Sequence, residues 1–189
     1  MSYCRLLVVL LTSCLGFAPA HAQQTGSKPK LNVLRGPAKA ALEGVAQVNL
    51  PAGYVFLDGK ATRAMMKASG EPTSGREYGA MMPTNGDWQV MFEYDDVGFV
   101  KDDEKDKLNA DKLLDAIKRG TAEANKERVR MGNSPLEIVG WEQPPRYDAT
   151  SHNLEWAIRA TSEGRQILNY NTRLLGRKGV MEVVLIVEP

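Results

Sequence analysis

The segment GWEQPPRYDATSHNLEW, Gly140 to Trp156, carries the densest grouping of residue types that do chemistry. It holds Trp141, Arg146, Tyr147, Asp148, His152, Glu155 and Trp156, and no other histidine follows His21. Asp148 and His152 are spaced to orient one another. With Glu155 they form a candidate acid–base set for a hydrolase, the substrate being held by Arg146 or Arg177. That reading lacks a nucleophile, because Ser151 has no glycine-flanked elbow around it. The plainer reading, a turn-capping Asp148 and a surface His152, fits the residue types better. Trp141, Arg146, Tyr147 and Trp156 are also candidate binding residues, since aromatic and arginine side chains anchor interfaces.

A second grouping is NYNTRLLGRKG, Asn169 to Gly179. Asn169, Asn171, Arg173 and Arg177 fall at positions of one parity, so an unbroken strand sets them on one face, with Tyr170, Thr172 and Leu174 opposite. Such a face suits an anion or a partner's carboxylates, which makes Arg173 and Arg177 binding candidates. The alternative is a solvated strand face.

Other chemistries fail on spacing. Asp58-Gly-Lys resembles a phosphate loop, but the earlier glycine would fall at Tyr54, and Ala61 follows Lys60 where a hydroxyl is required. A calcium loop beginning at Asp102 would put Lys107 at its glycine position and Leu113 at its closing glutamate. Asp102, Asp103, Glu104 and Asp106 read instead as the acidic approach to a helix, where carboxylates meet free amides and the helix dipole. One imidazole without thiols is no zinc site, because Cys4 and Cys14 both precede Ala22. No metal and no cofactor is expected.

These groups need elements to hold them. GVAQVNLPAGYVFLDG reads as two short strands turning at Pro51–Gly53, after which Asp58 caps a helix over Lys60 to Ala68 with Ala61, Ala64, Met65 and Ala68 on one face. Glu71 to Asp87 is rich in Gly, Pro, Ser and Thr and reads as a long loop, a candidate binding edge. Trp88 to Tyr94 alternates as a strand, with Gly98 to Val100 as a second hairpin arm. A helix follows from about Asp106 to Arg130, with a possible break at Gly120. Leu136 to Trp141 is a strand, Glu142 to Asn153 a turn region, and Leu154–Ala160, Gln166–Gly176 and Val180–Val187 are three more strands. The expected fold is α+β, an antiparallel sheet of about five to seven strands packed against two helices.

A chain of 189 residues, 43% hydrophobic and 25% charged, suits one compact domain. The amino end has Arg5, an apolar run from Leu6 to Leu11, and Ala20-His21-Ala22, which reads as a secretory signal over 1–22. A flexible leader over 23–37 and a single domain over 38–189 follow. LTSC, Leu11 to Cys14, offers a rival route in which Cys14 carries lipid and becomes the first residue. Without Arg5, 24 basic groups become 23, equal to the 23 acidic ones. That balance gives no general attraction to nucleic acid or an anionic membrane. After the signal no apolar stretch approaches the ~20 residues of a spanning helix.

Six ordered blocks, LPAGYVFLD, WQVMFEYDDVGFVKDDE, NADKLLDAIKRGT, ANKERVRMG, VGWEQPPRYDATSHNLEWA and NYNTRLLGRKGVMEV, give the chain its resemblance to a known family. From about Gly36 to Pro189 it resembles the bacterial family of uncharacterised membrane-anchored proteins termed domain of unknown function 2167. The resemblance implies an extracytoplasmic domain, periplasmic or on the outer face of the cytoplasmic membrane, followed by further chain and a hydrophobic anchor. Here the sequence stops at Pro189, so a truncated gene, a fragment or a shortened member is expected. It implies no catalytic residue. The favoured function is a non-enzymatic envelope interaction domain with an unknown envelope protein or small ligand as partner; a hydrolase and a small-ligand carrier are the alternatives.

After export and purification from a bacterial envelope, the denatured chain should have the mass of one that starts at Gln23. The mass of a lipid-bearing chain starting at Cys14 would establish the lipoprotein route instead.

Overall fold

The computed structural model describes residues 31–101 and 108–189. Its elements are β1 (Val33–Arg35), β2 (Ala38–Leu42), β3 (Ala46–Leu50), β4 (Tyr54–Asp58), α1 (Gly59–Ala68), β5 (Glu77–Pro83), β6 (Trp88–Asp95), α2 (Ala110–Arg130), β7 (Glu137–Asp148), β8 (Asn153–Ser162), β9 (Arg165–Leu175) and β10 (Val180–Val187). Eight strands form one antiparallel sheet in the order β1-β4-β5-β6-β10-β9-β8-β7, and β2 pairs with β3 in a separate hairpin. The fold is α+β with two helices, as the patterning predicts, but with more strands than the five to seven expected.

Two cores flank the sheet. Met66 of α1 and Ile117 of α2 close one face over Ala80, Met91, Trp156, Ile158, Ile167 and Val184. Ala40, Leu42 and Leu50 of the β2–β3 hairpin close part of the other over Phe56, Phe92 and Met181. Cross-strand partners share a face, and residues two apart along a strand do too.

Local rules account well for α1. Asp58 accepts the Ala61 N–H at 2.8 Å as its cap, and Gly70 at φ +69° follows its end. The buried face is Gly59, Ala61, Thr62 and Met66, rotated from the expected Ala64 and Ala68, and the buried Thr62 hydroxyl donates to the Leu57 carbonyl at 3.2 Å. In α2 the helix runs unbroken through Gly120. Its cap is Asn109, which accepts the Lys112 N–H at 2.9 Å, so the described helix begins after the expected Asp106. The acidic approach, Asp102 to Asp106, lies outside the described residues.

Four other expectations are corrected. The long loop of Glu71 to Asp87 contains β5, paired on both sides by β4 and β6. Both faces of β5 are covered, which removes the alternation that marks a strand. Gly79 serves this packing, since a Cβ there would stand 2.4 Å from the Phe56 ring. Gly98 to Val100 forms no hairpin arm, because β5 and β10 already occupy both sides of β6. Glu142 to Asp148 belongs to β7, whose outer edge has no partner strand among the described residues and so tolerates Pro144 and Pro145. Lastly, β1 lies within the stretch read as leader: Val33, Leu34 and Arg35 pair with Leu57, Phe56 and Val55, and their exposed side chains left no pattern to read.

The two helix ends are tied together by a buried ion pair. Arg128 donates from Nε and Nη2 to one oxygen of Glu71 at 3.0 and 2.7 Å, with both side chains at most 1% exposed. Asn133 Nδ2 donates to the carbonyls of Ser69 and Gly70 beside it. Removing one member strands the other charge, so Glu71→Ala should cost about 3–5 kcal/mol in urea unfolding. The double change Glu71→Leu with Arg128→Met should cost clearly less than that single change. Equal losses would mean that the pair itself, and not the orphaned charge, dominates.

Candidate functional site

In three dimensions the chemistry-bearing residues of Gly140 to Trp156 fall into local contacts, Tyr147 with His152 and Arg146 with Glu155. His152 sits exposed on the turn at φ +55°, and its Nδ1 lies 2.8 Å from the Tyr147 hydroxyl. Asp148 accepts the Thr150 and Ser151 amides at 2.8 and 3.4 Å; those hydrogen bonds lower its pKa and make it a turn cap. Glu155 accepts from Arg146 at 2.6 Å across the β7–β8 pair. Trp141 and Trp156 point the other way, into the helix-covered core.

Asn169, Asn171 and Arg173 do share a face of β9, as their spacing predicts. That face is the covered one: Asn169 and Arg173 are 1% and 9% exposed, which corrects the solvated alternative for them. Arg173 lies over the Trp156 ring, 5.2 Å from its centroid, and donates to Glu182 at 2.5 Å. Arg177 is exposed in the β9–β10 turn.

Arg173 ends a charged row that sequence reasoning missed. Cross-strand register sets Glu77 of β5 opposite Glu93 of β6, Glu93 opposite Glu182 of β10, and Glu182 opposite Arg173 of β9. All four are buried, Glu77 and Glu93 to 0% and 2% exposure. Arg76 reaches across this row, 2.7 Å from Asp95, 3.3 Å from Glu93 and 3.7 Å from Glu182. Ser74 donates its amide at 2.5 Å and its hydroxyl at 3.0 Å to Glu77 Oε1, and Gly75 N donates to Oε2 at 2.9 Å. The available signal was an acidic residue at an inward position of an otherwise apolar strand, seen best in Val-Met-Glu-Val-Val of β10.

Desolvation, helped by Glu182 and Glu77 and opposed by Arg76 and Ser74, pushes the Glu93 carboxyl up to about 8. Burial alone would lower the Arg76 guanidinium; its hydrogen bond to Asp95 and the charges of Glu182, Glu93 and Asp95 more than offset this and raise it. Among the described residues, no group of three or more His, Cys, Asp or Glu side chains is placed to hold a metal ion. An open depression of about 540 Å³, lined by Asn125, Ser134–Glu137 and Thr161–Gly164, lies at the far end of the strands. It is eight residues along β8 and β9 from the row, roughly 26 Å.

On the opposite face of the sheet, among the described residues, β7, β8 and β9 contribute nothing to the core under the hairpin. Tyr170 and Leu174 stand there 40% and 39% exposed. Around them Arg146 pairs with Glu155, and Arg159 with both Glu142 and Gln166.

Residues 35–189 match the family described as Protein of unknown function (DUF2167), which spans the sheet from the end of β1 onward. The chain belongs to the DUF2167 family. The DUF2167 span takes in the whole charged row and the uncovered face. No curated protein and no solved structure matches the chain.

The raised Glu93 carboxyl gives a pH dependence of definite sign. Folding binds its proton more tightly than the unfolded chain does, so its stabilisation is complete below about pH 4.5 and is lost as pH rises through about 8. Between those limits wild-type stability should fall relative to Glu93→Gln by up to ~1.4 kcal/mol per pH unit, read as urea midpoints. Parallel profiles for the two proteins would show that Glu93 does not hold the proton.

Proposed function

We propose that this DUF2167 member is an exported cell-envelope protein that works by binding a protein partner and not by catalysis. The uncovered outer face of β7–β9 carries the reading. An apolar centre of Tyr170 and Leu174 inside a rim of Arg146, Glu155, Arg159 and Glu142 has the composition of an interface, aromatic and arginine rich with charges at its margin. Strands β5, β6 and β10 contribute to both the helix-covered core and the core under the hairpin, whereas the outer face of β7–β9 is where a second surface has room to pack.

Export rests on the amino-terminal pattern ending at Ala22, or at Cys14 for a lipoprotein. A membrane anchor rests on the family resemblance; among the described residues no helix is long and apolar enough to cross a membrane. Arg146 contributes through the rim, and Arg177 flanks the face at the β9–β10 turn. Trp141, Trp156 and Arg173 support the domain from within. As a hydrolase, the domain would need Asp148, His152 and Glu155 to converge, whereas Asp148 caps a turn and Glu155 pairs with Arg146.

A photo-crosslinking residue in place of Tyr170, in the exported chain in living cells, should give one discrete protein adduct. Adding Leu174→Lys should abolish that adduct while changing stability by only about 0.5 kcal/mol, as expected at an exposed site. No discrete adduct at Tyr170, with the same probe at exposed Lys60 as the background control, would overturn the interface.

A further inference from the structure

The segment between α1 and β5 is held at both ends by buried charge. Glu71 is fixed by Arg128 at its start. At its end, Ser74 and Gly75 donate to Glu77, Ser74 Oγ lies 3.4 Å from Glu93, and Arg76 spans Glu93, Asp95 and Glu182. The Arg76 carbonyl also accepts the Tyr94 amide at 3.0 Å. Gly70 and Gly75 at φ +69° and +82° supply bends that other residues rarely adopt. The side chains of Arg76 and Asp95 are 21% and 18% exposed, so the row meets solvent at this segment and not at the buried Glu93.

Among the described residues its charges do not balance. Glu77 from β5, Glu93 and Asp95 from β6 and Glu182 from β10 face Arg76 from the segment and Arg173 from β9. With every acid ionised, four negative charges meet two positive ones. Such an excess is costly away from water and is relieved in one of two ways: a carboxyl keeps a proton, or water enters. We propose that the row is a proton-operated latch on the segment Ser74 to Arg76, closed on β6 and β10 while Glu93 carries a proton and opened when that proton is lost. Opening swings the Ser74 hydroxyl and the Arg76 guanidinium outward and lets water solvate the Glu93 carboxylate. The Glu71–Arg128 pair stays shut and acts as the fixed end of the hinge. This latch is independent of the outer face proposed to bind a partner.

Amide hydrogen exchange on the mature chain tests it. Ser74, Gly75 and Tyr94 should exchange faster by up to ~10-fold per pH unit between about pH 5 and 8, beyond the intrinsic base-catalysed rise, and then level off. Ile158, in the helix-covered core, should not follow them, which separates local opening from global unfolding. In Glu93→Gln the three amides should keep the low-pH protection throughout. Should that variant misfold, Glu182→Gln, which removes the strongest neighbouring like charge, should move the transition to lower pH. The latch is overturned if wild-type Ser74 and Gly75 follow the intrinsic rate alone, or if Glu93→Gln retains the wild-type pH dependence.

Discussion

Everything in this domain depends on the place that β10 takes. Strands β1, β4, β5 and β6 come from the first half of the chain and β7, β8 and β9 from the second, and β10 is inserted between β6 and β9 to make them one sheet. It pairs over eight residues on each side. With both edges bonded and both faces packed it must be apolar nearly throughout, and it reads Val-Met-Glu-Val-Val-Leu-Ile-Val. Each fully buried side chain of this kind contributes roughly 1.5–3 kcal/mol, so the seam is strong as well as continuous.

The single acid in that strand explains the unusual interior. Glu182 receives Arg173 from one half of the sheet and Arg76 from the other, so the seam is marked by charge as well as by backbone pairing. In the second buried ionic system Arg128 gives Glu71 two hydrogen bonds, and Asn125 and Asn133 are bonded around it. Bonded in this way, it behaves as a fastening. The row, with more acids than guanidiniums and a rim open to water, is a place where protonation and structure are linked.

Covering is uneven on the two faces. The helices span one side, while the hairpin β2–β3 caps only the part of the other side formed by β4, β5, β6 and β10. Pairing fixes Tyr170 and Leu174 on the uncovered remainder, and the salt bridges around them keep that surface soluble without filling it. The same alternation that buries Arg173 therefore exposes its neighbour Leu174.

Local physics was legible in the residues themselves. Asp58 capping α1, the parity of Asn169, Asn171 and Arg173, the bounds of β10, and the α+β class all follow from short-range rules of capping and period. Which face of β9 is covered did not follow, because alternation says which residues share a side and nothing about what packs on it. The strand β5 was hidden because its flanks and both faces are supplied by other elements, and β7 because an edge position excuses its prolines. Glu93 is the clearest case: its charge state depends on Arg76 and Glu77, brought beside it by the β5–β6 pairing, and on Glu182, which β10 returns to its side. Tertiary structure decided that environment, since electrostatic strength depends on distance and dielectric, and neither is defined until strands distant in sequence are paired and water is excluded.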